Sequence, residues 1–84
     1  MYNKYSLKSA EGKNNICGKK IKEYRLSQRP QISQEKLAKI LQQSGLEIDR
    51  FIIIRIENGT RYVTDVEVKA IADALNIPIT YLLS

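Results

Sequence analysis

Arg50 and Arg55 stand five residues apart in the run DRFIIIRIE (49–57). An arginine offers a planar fork of N–H donors that matches the O6/N7 edge of guanine and also grips phosphate. If the run is a helix, each residue turns by about 100° from the last. With Ile53 and Ile56 directed to a core, Arg50, Phe51, Ile52, Ile54 and Arg55 form the outward side, with Arg50 and Ile52 at its margins. That side mixes two guanidinium groups with three apolar side chains. The apolar members have three readings: contact with thymine methyl groups, cover by a protein partner, or packing of Ile52 or Ile54 on the preceding helix. Ordinary solvated surface is the alternative for the two arginines.

Other chemistry finds little support. The chain has one cysteine, Cys17, and no histidine. An intrachain disulfide is therefore impossible and a zinc site lacks ligands. No imidazole is present to activate the thiol, so Cys17 reads as a small buried apolar group. Glu47 and Asp49 suit a loop and a helix cap, and Asp65 and Glu67 suit a first helical turn, so no acid pair is arranged for proton transfer. There is no glycine-rich phosphate loop. The five tyrosines are too scattered to stack single-stranded bases. The sequence reads as a non-enzyme without cofactor or metal.

Charge points to a polyanion. The formal net charge is +5 over 84 residues. Thirteen of the fourteen Lys and Arg lie in residues 1–63, leaving Lys69 as the base in a slightly acidic last quarter. Such asymmetry suits a domain with one face toward nucleic acid. A length of 84 residues allows one domain with a modest core, for which dimerisation is a common way to bury more surface. The first fifteen residues, with Lys4, Lys8 and Lys13, read as a flexible basic arm and residues 16–84 as the folded domain. No signal peptide or membrane span is evident, and a cytoplasmic location is expected.

Five helices must position the arginines. The first spans roughly Ile16 to Ser27, with Ile21, Tyr24 and Cys17 on one face, and stops before Arg29-Pro30. The second starts at the cap Ser33, where Ile32 and Leu37 form a hydrophobic staple. Its apolar stripe is Leu37, Ala38, Ile40, Leu41 and Ser44, and Gly45 suits a left-handed stop with Leu46 folding back on Leu41. The third starts at the cap Asp49, with Ile48 and Ile53 as a second staple, and ends near Asn58-Gly59. Its run Phe51-Ile52-Ile53-Ile54, aromatic and β-branched together, is the one segment with strand character. The fourth starts at Thr64, which makes a capping box with Glu67, and Val63 pairs with Val68 as a third staple. Asn76 closes it, and Pro78 precedes a last short helix, Ile79 to Leu83. Tyr81, Leu82 and Leu83 are available for core packing or for a dimer contact.

The second and third helices with their turn are the parts of a helix-turn-helix, whose second helix enters the major groove. The runs GKKIKEYR (18–25), SQEKLA (33–38), IDRFIIIRIENG (48–59) and ALNIPITYLL (74–83) resemble the Cro/phage-repressor, or Xre, family of helix-turn-helix domains. The resemblance covers Gly18 to Leu83. It implies an all-α, five-helix domain that binds double-stranded DNA and regulates transcription, by default as a repressor and as a homodimer on an inverted repeat. It implies base reading by Arg50, Phe51 and Arg55, with Ile52 beside them, and phosphate contacts from Gln34, Asn58 and Arg61. It implies a structural ion pair between Arg25 and Glu57. The sequence departs from the family in two ways. Gln42 to Glu47 lengthen the second helix and its turn, and Phe51, Ile52 and Ile54 stand on a face that is normally polar. That apolar face leaves an antitoxin-like or adaptor role, with the third helix docked on a protein partner, as the alternative.

Overall fold

The computed structural model describes residues 12–84. Its elements are α1 (Gly18–Ser27), α2 (Gln34–Gln43), α3 (Arg50–Glu57), α4 (Asp65–Leu75) and α5 (Ile79–Leu83). No strand occurs among the described residues. The segment with strand character, 51–54, is helical because it is capped and because Ile53 and Ile56 are buried on one side of α3.

Local chemistry sets the helix starts. Ser33 accepts a hydrogen bond from Lys36 N–H at 3.0 Å, and Asp49 accepts one from Ile52 N–H at 2.9 Å. Thr64 and Glu67 form a reciprocal capping box. Each cap satisfies an N–H that a helix start would otherwise leave unpaired. The first helix begins at Gly18, two residues later than the apolar pattern indicated. The reason is Asn15, whose Oδ1 accepts from Gly18 N–H at 2.7 Å, so that Ile16 and Cys17 lie in the turn leading in.

Stops are equally local. Gly45 adopts φ 94°, its N–H donates to the Gln42 carbonyl at 3.0 Å, and Leu46 N–H donates to the Leu41 carbonyl at 3.1 Å. These two bonds end α2 in a Schellman turn, the left-handed φ being easiest for glycine. Helix α2 is therefore ten residues long. Of the residues 42–47 that lengthen this region, Gln42 and Gln43 finish the helix and the others fall in the connection 44–49. Asn76 ends α4 at φ 58°.

The core joins all five helices. Ile21 from α1, Leu37 and Leu41 from α2, Ile53 and Ile56 from α3, Val68, Ile71 and Leu75 from α4 and Leu82 from α5 are buried, with Ile48 and Val63 from the connections. Helix α3 packs on α1 and α2, α2 also on α4, and α5 spans from α4 to α1. Ser44, counted in the α2 stripe from sequence, is instead the exposed C-cap. Leu82 belongs to the core, while Tyr81 and Leu83 reach the surface.

The folded unit begins before the boundary at residue 16 expected from the sequence. Residues 1–11 of the expected arm lie outside the described residues, but Asn14 and Asn15 belong to the folded unit. Asn14 N–H donates to the Gly59 carbonyl at 2.8 Å and Asn14 Nδ2 to the Thr60 carbonyl at 3.1 Å. Asn15 is buried, and its Nδ2 donates to the carbonyls of Ile56 at 3.1 Å and Arg61 at 2.8 Å. A buried amide with every polar atom engaged fixes geometry, because leaving it unmatched would be costly.

Candidate nucleic-acid interface

Helix α3 turns one set of side chains into the core and another toward the surface. Ile53 and Ile56 are 1% exposed, whereas Phe51 is 58% exposed and Arg50 and Arg55 are exposed. The Arg50 guanidinium carbon lies 5.0 Å from the centroid of the Phe51 ring. That distance permits a cation–π contact, which narrows the conformations of the arginine fork. Ile52 and Ile54 are half-buried, and Ile52 packs against the core. The apolar face is thus narrower than the sequence suggested, and Phe51 is its exposed part.

Behind this face lies a polar junction. Arg25 Nε donates to Glu57 Oε2 at 2.8 Å and its second terminal nitrogen to Glu57 Oε1 at 2.9 Å. The side chains are only 7% and 3% exposed. The remaining terminal nitrogen of Arg25 donates to the Ile32 carbonyl at 3.0 Å. Gln34, at the start of α2, donates its amide Nε2–H to Glu57 Oε1 at 3.0 Å. One carboxylate therefore ties α1, α2 and α3 together, and the bidentate fork specifies their orientation. Sequence reasoning missed the Gln34 bond, since no spacing rule connects residues 34 and 57.

The connection after α3 is ordered from both sides. Asn58 Oδ1 accepts from Thr60 N–H at 3.1 Å and Thr60 Oγ1–H at 2.8 Å. Asn58 Nδ2 has no partner among the described residues and Asn58 is exposed. Arg61 donates through both terminal nitrogens to Glu67, at 3.1 and 3.2 Å, and through one of them to the Tyr62 carbonyl at 3.3 Å. Glu67 thus serves two roles: it caps Thr64 N–H and holds Arg61. The sequence pattern revealed the first role alone.

Cys17 is buried, and desolvation raises its thiol pKa from 9.0 to about 11, with Glu67 adding to the rise and a backbone hydrogen bond opposing it. It is held as a neutral thiol, a poor nucleophile. Among the described residues no group of three or more His, Cys, Asp or Glu could hold a metal ion, and no helix is long and apolar enough to cross a membrane.

Two helices joined by a turn, the second with an exposed arginine-bearing side, define a helix-turn-helix protein. A helix-turn-helix family model matches residues 21–82, and the chain belongs to this family, of the Cro/phage-repressor type. It is a DNA-binding transcription regulator of that type, a class not typically enzymatic. No curated protein and no solved structure matches the chain.

Proposed function

We propose that the protein reads a specific duplex sequence with the outward side of α3 and acts as a repressor. The observation that carries this reading is the exposure of Arg50, Phe51 and Arg55 on a helix whose Ile53 and Ile56 are buried. Arg50 and Arg55 donate to guanine edges in the major groove, and Phe51 meets a thymine methyl. Ile52 flanks them at the edge of the core. Gln34 and Asn58 contact phosphate through amide hydrogens, and Arg61 through the Nε–H that its pairing with Glu67 leaves over. Arg25 and Glu57 hold the frame. The protein acts as a homodimer on an inverted repeat, two reading helices lying about one helical turn of DNA apart. Tyr81 and Leu83, apolar and at the surface, supply candidate dimer contacts.

Selection from a random duplex pool tests the reading. A palindromic site with guanines at fixed positions is the expected result. Binding should weaken by orders of magnitude as salt rises. Phe51→Ala should relax one thymine position and leave the salt dependence unchanged. The exposed Phe51 ring also suits a protein partner, the adaptor role. Failure to bind any duplex at low salt would favour that role and refute DNA reading by this helix.

A further inference from the structure

An open cleft lies between the segment leading into α1 and the end of α3. Lys13, Lys19, Lys20 and Lys22 line it, together with Glu57 and Asn58. Glu57 carries the one acidic side chain among the lining residues, and its oxygens are already engaged by Arg25 and Gln34. Two of the lysines are held in place. Lys13 Nζ donates to the Asn58 carbonyl at 3.3 Å, and its aliphatic stem lies against Gly59. Lys20 Nζ donates to Ser84 Oγ at 2.9 Å and sits 5.0 Å from the centroid of the Tyr81 ring. Lys19 and Lys22 are exposed. Lys19 and Lys22 bring exposed positive charge to this concavity, and a concave wall focuses their field on whatever enters.

We infer that this cleft binds phosphate groups, and that its occupant is the DNA backbone beyond the bases read by α3. The inference rests on the reading proposed above, because Asn58 is common to the cleft and to the proposed phosphate contacts. It assigns Lys19 and Lys22 a part in affinity and none in base choice, and it lengthens the footprint of each protomer.

The test is the slope of log affinity against log salt concentration for Lys19→Gln, Lys22→Gln and the control Lys69→Gln. Lys69 lies on α4, paired with Asp73. Each cleft variant should lower the slope by about 0.9, the value of one lost phosphate contact on B-DNA. Lys69→Gln should leave it unchanged, and the selected site and the melting temperature should be the same in all. An unchanged slope in both cleft variants, or an equal fall in the control, overturns the inference while leaving the reading by α3 intact. If the wild type binds no duplex, that reading fails, and tripolyphosphate titrated into labelled protein decides on the cleft. Amide shifts confined to Gly18, Lys19 and Gly59 and lost in Lys22→Gln would assign the cleft to free phosphate compounds, overturning the backbone as occupant. Scattered or absent shifts would overturn phosphate binding altogether.

Discussion

The two ends of α3 are held in different ways. At its C-terminal end, Glu57 is gripped by Arg25 and Gln34, the Ile56 carbonyl accepts from Asn15, and the connection beyond is bonded to Asn14, Asn15 and Glu67. At its N-terminal end the helix has the Asp49 cap, the buried pair Ile48 and Ile53, and a bond from Gln42 Nε2–H to the Ile48 carbonyl at 3.1 Å. The connection leading in, Ser44 to Asp49, is largely exposed. Position and angle are thus set at one end by a buried polar network, where a change in one partner strands another. The other end depends on a cap and apolar packing, and it carries Arg50 and Phe51. Residues there can change without disturbing the frame, which suits a surface that must be specific.

The largest expected effect lies at the held end. Arg25→Ala strands the Glu57 carboxylate at a nearly buried site and should cost about 3–5 kcal/mol. Urea unfolding would show it, and a loss below 1 kcal/mol would mean that the junction is not what sets the frame. Next comes Gly18→Ala. A methyl group there runs into the Ile56 carbonyl, so α1 and α3 must separate, at about 1–3 kcal/mol. A stable Gly18→Ala protein with unchanged unfolding would show that the helix crossing has slack.

At the reading face the prediction reverses. Arg55→Ala should keep a melting temperature near the wild type, while losing about 1–3 kcal/mol of discrimination at one base pair. If it unfolds the protein as Arg25→Ala does, the contrast between the two regions collapses. Asp49→Ala removes the cap that holds the freer end, and about 1 kcal/mol of stability should go with it. DNA affinity should fall further than stability alone explains, since the residues beside the cap include Arg50.

The mildest effect concerns pH. Burial raises the Cys17 thiol pKa from 9.0 to about 11, so the folded state retains a proton that the unfolded chain gives up. This contribution is complete below pH 9 and fades as the pH rises toward 11, with a loss of about 1 kcal/mol by pH 10. Tyrosines and lysines titrate in the same window, so the measured quantity is the difference in slope between the wild type and Cys17→Ala. Equal slopes would place the thiol in contact with water.

The starts of α2 to α5, the helix stops and the side of α3 that faces outward were legible in the residues themselves, whereas the start of α1 was displaced by Asn15. Ser33, Asp49, Thr64, Gly45 and Asn76 act on backbone groups within a few positions, and a repeat of about 3.6 residues sorts Ile53 and Ile56 from Phe51 and Arg55. The pairing of Arg25 with Glu57 was within reach only through likeness to a family, and the bond from Gln34 to the same carboxylate not at all. The Asn14–Asn15 latch, the second role of Glu67 and the lysine-lined cleft join residues far apart in sequence or on different sides of a turn. Periodicity and capping act over one or two helical turns. Contacts between elements depend on how the core orients the helices, and only the packed chain decides that.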